Sequence, residues 1–258
     1  MLQRRDVLKA MAAFPSAGLP LAVVLANPEL ARAQAATLET VAITVGGKSV
    51  TGALAKPAKA PAGAVLAVHE WWGLNDQMKA WSADMAGQGY LVLACDLMGG
   101  GPAATTPDEA RALLGKVPND ERTAIVAAWV DWLKKHPQGS GKVATVGFCF
   151  GGAWSPNASL ARPVDATVIY YGNVARTADD LKPLAGPVLG HFATQDQNIN
   201  KAMVDGFAAA MQAAGKSLEA HWYDAKHGFA NPTAALYDAG DTKLAQERTL
   251  AFLKKHLG

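Results

Sequence analysis

The chain has 258 residues, enough for one well-packed domain. Half of them are hydrophobic and 18% are charged, which excludes a disordered or fibrous chain. A formal net charge of +2 leaves no basic footprint for a nucleic acid.

The N-terminus reads as an export leader rather than as part of the fold. Gln3-Arg4-Arg5-Asp6-Val7-Leu8-Lys9 follows the twin-arginine pattern of bacterial signals, and an apolar stretch covers residues 10–26. Ala31-Arg32-Ala33 and Ala33-Gln34-Ala35 each offer a small-x-small cleavage site. A retained membrane anchor is the other reading. Pro15, Gly18 and Pro20 interrupt the stretch, which is shorter than the roughly 20 apolar residues of a spanning helix. The expected division is a cleaved leader at residues 1–35 and a mature domain at 36–258. Such a chain leaves the cytoplasm folded, through the twin-arginine translocase, and is periplasmic or secreted without stable membrane insertion. Residues 1–35 hold four of the basic and two of the acidic residues, so the remainder carries 20 of each sign.

Downstream, apolar β-type runs alternate with helix-type segments, which predicts an α/β fold with a mostly parallel sheet and helices on both faces. Residues 41–45 and 50–55 flank Gly46-Gly47, a hairpin signal. Further strands are expected at 64–69, 90–94, 142–146, 167–171, 188–193 and 218–223. Helices are expected at 75–88, 108–114, 121–135, 200–214 and 242–257. No insertion is long enough to form a large lid. The two cysteines, Cys95 and Cys149, both fall at strand ends.

The strand at 142–146 runs into Gly147-Phe148-Cys149-Phe150-Gly151-Gly152, a G-x-C-x-G nucleophile elbow with a thiol in the place of the usual hydroxyl. The strand ends, the chain turns sharply and a helix begins. The glycines two before and two after Cys149 leave room for that turn. A thiol there also faces a helix N-terminus, whose positive end favours thiolate over thiol. The alternative is a small buried hydrophobe between two phenylalanines.

A thiol hydrolase also needs a base, an acid to orient it and an oxyanion hole. In this architecture acid and base follow the nucleophile, on loops after later strands. Asp196 lies just past the strand at 188–193, and His227 lies just past the one at 218–223. His136 and His256 sit near helix C-termini, and His191 and His221 lie within strands. His69 precedes the elbow, which leaves it at most a supporting role. His69-Glu70-Trp71-Trp72-Gly73 follows the strand at 64–69, in the loop that supplies one oxyanion N–H. The second N–H belongs to Phe150. A carboxylate at Glu70 would repel developing negative charge, so it requires a purpose or a nearby cation; capping the next helix is the bland alternative.

These pieces together resemble the dienelactone hydrolases, α/β hydrolases with a Cys-His-Asp triad. The match rests on 69–75, Cys95-Asp96-Leu97, the elbow, Tyr170-Tyr171-Gly172, Asp196 and His227-Gly228-Phe229. The resemblance implies Cys149 as nucleophile, His227 as base and Asp196 as its orienter. It implies that Glu70 pairs with the thiol and helps to activate it when substrate enters, and that the N–H groups of Trp71 and Phe150 hold the oxyanion. Two departures bear on substrate. The family's dienelactone-cleaving members are expected to hold a substrate carboxylate with two arginines, where this chain has Gly100 and Asn231. Pro156, soon after the elbow, is expected to shorten or bend the following helix unless it falls in the first turn.

The sequence therefore reads as an α/β-hydrolase fold that cleaves a small ester or lactone through a cysteine acyl-enzyme. Trp72, Trp154, Phe229 and Asn231 are the expected pocket residues. No metal or organic cofactor is implied, since there is no Walker loop, no G-x-G-x-x-G after a first strand and no clustered His/Cys ligand spacing. Thioester or small-amide hydrolysis on the same triad, and a non-catalytic small-molecule binding protein with this fold, are the alternatives.

Overall fold

The computed structural model describes residues 21–258. The paired arginines and the apolar stretch as far as residue 20 lie outside the described residues.

One eight-stranded sheet has the order β1-β2-β4-β3-β5-β6-β7-β8. Strands β1 (Glu39–Val45) and β2 (Lys48–Ala55) pair antiparallel across a two-residue turn, where Gly46 and Gly47 have φ of 55° and 80°. Both turn positions need positive φ, which glycine adopts without a Cβ penalty. Strand β2 also runs antiparallel to β4 (Leu91–Cys95). From β4 the sheet is parallel through β3 (Ala62–Val68), β5 (Gly139–Phe148), β6 (Ala166–Tyr170), β7 (Val188–Ala193) and β8 (Leu218–Tyr223). Strands β4, β6 and β7 are buried along their whole length, as a parallel sheet covered on both faces requires.

The period of two along each strand divides the core. Val65 and Ala67 face one cluster with Trp81 and Phe252, whereas Leu66 and Val68 face another with Val126 and Trp129. Helices cover both sides. Numbered from the start of the described chain, α1 (Leu21–Leu25), α2 (Pro28–Ala35), α3 (Asp76–Gly87) and α9 (Ala239–Leu257) contribute to the first cluster. Helices α5 (Asn119–Lys135) and α6 (Phe150–Ala161) contribute to the second. Shorter helices α4 (Pro107–Leu114) and α7 (Ala178–Leu181), and the longer α8 (Lys201–Ala213), complete the set among the described residues. Among those residues no helix is long and apolar enough to cross a membrane.

Two features differ from the sequence reading. Residues 21–35, assigned to the leader, form α1 and α2, and Val24, Leu25, Leu30 and Ala31 are buried in the cluster that contains Met78 and Trp81. Asn27 links the two helices and caps α2, its Oδ1 accepting from the N–H groups of Glu29 and Leu30 at 3.0 and 3.3 Å. The apolar residues that suit a leader also suit a sheltered face of α3. Helix α6 continues through Pro156 to Ala161 although this proline lies beyond its first turn. Buried hydroxyls brace that segment. Ser155 Oγ donates to Val168 O at 2.9 Å and Ser159 Oγ donates to Ser155 O at 3.1 Å. Thr145 Oγ1 lies 2.9 and 3.0 Å from the two serine hydroxyls. Both cysteines are free thiols, Cys95 fully buried and Cys149 partly accessible.

Candidate active site

Strand β5 ends at Phe148 and α6 begins at Phe150, which leaves Cys149 between them at φ 53° and ψ −111°. Positive φ strains a residue with a Cβ, so the surroundings must hold it there. Cys149 N–H donates to Tyr170 O at 3.0 Å, and Ala153 N–H donates to Cys149 O at 3.3 Å. A methyl group on Gly147 would lie 1.9 Å from Gly151 O, and one on Gly151 would lie 2.2 Å from Val68 O. Only glycine permits helix and strand to meet so closely. The outcome is a thiol at the N-terminus of α6, where the first N–H groups lack intrahelical acceptors.

Two loops at the same edge of the sheet bring partners to it. Asp196 follows β7 in a turn and is 4% exposed. Its Oδ1 accepts from the N–H groups of Asn198 and Ile199 at 2.9 and 3.0 Å, which fixes the carboxylate plane. Its Oδ2 lies 2.6 Å from His227 Nδ1, and His227 Nε2 lies 3.1 Å from Cys149 Sγ. Burial acts to raise the Asp196 carboxyl, but the hydrogen bonds from His227 and the two N–H groups outweigh it and hold the group below the usual range. Burial acts to lower His227, yet the carboxylate on one side and the sulfur on the other push it up to about 10. Both partners favour the imidazolium form of the ring.

The loop after β3 forms the opposite wall. His69 is fully buried and holds this loop. Its Nδ1 donates to Glu70 O at 2.6 Å, and its Nε2 accepts from Leu97 N–H at 3.1 Å, contacts that assign the proton to Nδ1. The imidazole stacks on Phe150 with ring centres 5.9 Å apart, and the Arg122 guanidinium lies 5.2 Å from the same ring centre. Arg122 also donates to Leu97 O and Leu114 O at 3.1 and 2.7 Å. Loop and elbow are thus tied together. Trp71 N–H has no acceptor among the described residues. Phe150 N–H is the first of α6.

Glu70 is turned toward two neutral donors. Its Oε1 accepts from Tyr171 OH at 3.2 Å and its Oε2 from Asn231 Nδ2 at 2.5 Å. Burial raises the Glu70 carboxyl above its ordinary value, against these two hydrogen bonds and the charge of His227. Tyr171 is held protonated, because burial and then the nearby charges of Glu70 and Cys149 push its phenol well above the ordinary value. It remains a donor to Glu70. Its φ of 38° is the other positive value on a non-glycine residue among those described. Its N–H donates to His191 O at 2.8 Å, and its ring stands edge-on to His227 at 5.2 Å.

The structure brings Cys149, His227 and Asp196 into one line and sets Glu70 against Tyr171, which faces His227; Phe150 follows Cys149 and Trp71 follows Glu70 in the chain. Trp72 is partly exposed beside Trp71, with ring centres 4.8 Å apart. Three expected pocket residues have other positions. Trp154 is 5% exposed and packs with Trp129 and Phe150 in the second core cluster. Phe229 is 0% exposed and supports the site from beneath, against Tyr171 and Tyr223. Asn231 is 3% exposed and holds Glu70 rather than lining open space, its Oδ1 accepting from Thr233 N–H and Oγ1 at 2.9 and 2.7 Å. Tyr171 has no role in the sequence reading. Its signal is its place: it follows β6 at the edge where loops of a parallel sheet build sites. Gly100 N–H donates to Asp96 Oδ2 at 2.6 Å. Arg176 is engaged by Asn157 Oδ1 at 2.7 Å on α6, and Lys226 is exposed. Among the described residues no group of three or more His, Cys, Asp or Glu side chains is placed to hold a metal ion.

Comparisons with known proteins bear on the family and the fold. The sequence profile of the dienelactone hydrolase family matches residues 50–257. A carboxymethylenebutenolidase from Pseudomonas putida is 29% identical over 221 residues, covering 80% of this chain and 92% of its own. A dienelactone hydrolase-like promiscuous phosphotriesterase from metagenomic libraries superposes with a TM-score of 0.77 at 23% identity, covering 86% of this chain and 99% of its own. A dienelactone hydrolase from Anabaena variabilis superposes with a TM-score of 0.66 at 18% identity, again over 86% and 99%. The fold is the α/β-hydrolase fold of these neighbours, and with its profile spanning residues 50–257 the chain belongs to the dienelactone hydrolase family.

Proposed function

We propose that this chain hydrolyses a small neutral ester or lactone through an acyl-enzyme on Cys149, in the manner of the carboxymethylenebutenolidase reaction. The observation that supports it most is the line from Asp196 Oδ2 through both His227 nitrogens to Cys149 Sγ, with spacings of 2.6 and 3.1 Å. Sulfur attacks the carbonyl carbon, and the carbonyl oxygen becomes an oxyanion received by the N–H groups of Trp71 and Phe150. His227 starts charged, so the proton needed by the departing alkoxide is already on Nε2. The alcohol leaves and a thioester remains. Water then attacks the thioester, neutral His227 takes its proton, and the second tetrahedral adduct expels sulfur and releases the acid. In a lactone the alcohol and the acid are two ends of one product.

Glu70 has a conditional role in this scheme. At rest both its oxygens are occupied by Tyr171 and Asn231. A substrate that displaces the carboxylate from these donors lets it accept a proton from the thiol, leaving the nucleophile ready beside bound substrate.

Cys149→Ala is expected to abolish turnover with the fold intact, and His227→Ala to cost nearly as much, since members of a triad act as a unit. Asp196→Asn is expected to leave more activity. Glu70→Gln should lower kcat while its thermal unfolding matches the parent. Steady-state kinetics alongside circular dichroism read these outcomes; wild-type turnover in Cys149→Ala would end the acyl-enzyme reading.

Neutral substrates are expected to be preferred to carboxylate-bearing ones, because Gly100 and Asn231 stand where arginines would hold a carboxylate and both are committed to acidic neighbours. Each charged hydrogen bond contributes roughly 1.5–3 kcal/mol. Losing two weakens selection by about two to four orders of magnitude, at about 1.4 kcal/mol per tenfold. The measurement is kcat/KM for a dienelactone carboxylate against its methyl ester. A carboxylate preferred by about tenfold or more would mean that another cation, such as Lys226, serves the pocket.

We also propose export by the twin-arginine route with cleavage near Ala35, supported by Arg4-Arg5 and the small-x-small sites. Terminal sequencing of protein from a periplasmic fraction is expected to begin between Ala35 and Thr37. An intact Met1 on exported protein would show retention of the segment instead.

A further inference from the structure

The peptide that carries Trp71 N–H is held by its carbonyl. Glu70 O belongs to the same peptide unit, and it accepts from His69 Nδ1 at 2.6 Å and from Gly73 N–H at 3.2 Å. This peptide is trans, so its N–H points opposite to its C=O, and the two bonds also fix the direction of Trp71 N–H. A donor on the carbonyl polarises the peptide and makes its N–H a stronger donor in turn. Burial shields the contact from water, since His69 is 0% exposed. Leu97 N–H donates to Nε2 at 3.1 Å and so keeps the imidazole proton on Nδ1. Asp96 Oδ1 lies 3.8 Å from Nε2, beyond hydrogen-bond reach, and the carboxylate is taken up by the N–H groups of Met98 and Gly100 at 2.7 and 2.6 Å. The same histidine touches the residue after the thiol. Its ring stacks on Phe150 at 5.9 Å with the planes 13° apart, and a Cβ on Gly151 would lie 2.6 Å from His69 O. The first turn of α6 therefore closes on the residue that aims the 70–71 peptide.

We propose that His69 is the positioning residue of the oxyanion site: its Nδ1–H aims and strengthens Trp71 N–H, and its ring keeps Phe150 in register with that donor. The proposal deepens the ester-hydrolase reading and rests on it for the identity of the two donors. Three observations carry it: the shared 70–71 peptide, the proton fixed on Nδ1, and the contact of one imidazole with both chain segments. Such donors act on charge that develops in the transition state. Misdirecting one slows the steps that create an oxyanion and leaves other reactions of the thiol alone.

The test compares the full chain with His69→Phe, which keeps a ring without the donor, and with His69→Asn, whose amide nitrogen takes the place of Nδ1. Three reactions are followed. Hydrolysis of 4-nitrophenyl acetate passes through an oxyanion. Trifluoroacetophenone, read by fluorine NMR, forms one that persists: the Cys149 thiolate adds to the ketone carbon, and the former carbonyl oxygen stays on the adduct as an alkoxide. Iodoacetamide forms none, because sulfur displaces iodide at a methylene carbon; it is read on the Cys149 peptide by mass spectrometry across pH. His69→Phe is expected to lower kcat/KM for the ester by about tenfold or more, short of the 10²–10³ lost with a donor itself. It is expected to weaken the ketone adduct in parallel and to leave alkylation unchanged in rate and pH profile. His69→Asn is expected to recover most of both losses. Should His69→Phe not fold, His69→Gln supplies the answer, since its amide reaches the Nε2 side, accepts from Leu97 N–H and leaves Glu70 O without the Nδ1 donor. Alkylation that falls with ester turnover, parental ester and ketone results in His69→Phe or His69→Gln, or no recovery in His69→Asn overturns the proposal. A ketone adduct that depends on His69, in a protein that hydrolyses no ester, upholds the positioning role and refutes the hydrolase reading instead. A parent protein with neither adduct nor turnover overturns both.

Discussion

The close approach of β5 and α6 at Cys149 is the constraint on which the site depends. Gly147 lets α6 close on β5 and Gly151 lets it close on the end of β3, at separations that no Cβ permits, and Cys149 accepts a positive φ to make the turn. The hydrogen bond from its N–H to Tyr170 O ties this strained point to β6. Strain of this kind costs on the order of 1–3 kcal/mol and persists only where the surroundings over-determine it. Here the surroundings are the buried centre of the sheet. The helix N-terminus, the Phe150 N–H and the height of the thiol above the sheet all follow from that one turn.

Around this fixed point the charges are arranged in two sets. Asp196 and His227 form an ionic line, buried at the carboxylate and partly exposed at the ring, whose far end meets sulfur, and two backbone N–H groups hold Asp196 in place. Glu70 belongs to a separate set with Tyr171 and Asn231. Burial makes its negative charge expensive, and two neutral donors offset part of that cost. Holding an acid with neutral groups leaves it displaceable, since no ion pair has to be broken to move it. His69, Phe150 and Arg122 join the loop that carries Glu70 to the elbow, so the two sets keep a common frame.

The sequence displayed the parts whose chemistry is tied to chain position. The elbow announces itself by glycine spacing after an apolar run. Asp196 and His227 are found because each follows a strand, at the edge where parallel sheets gather their loops. Aromatic residues were harder to place. Residue type marked Trp154 and Phe229 as candidates for a pocket, but only packing decides on which side of the backbone a ring lies, and both rings are buried. The role of Tyr171 is not legible in the chain, because its contact with Glu70 joins residues 101 positions apart. The burial of Val24, Leu25 and Leu30 was equally hidden, since leader and core segments are apolar alike.

The central claim is a covalent bond between the substrate acyl group and Cys149. Its most direct test is acid quenching during turnover of 4-nitrophenyl acetate, followed by mass spectrometry of the digested protein. The expected result is a burst of nitrophenol approaching one equivalent and an added acetyl group on the peptide that contains Cys149. Acetyl carried by a different residue during productive turnover would contradict it.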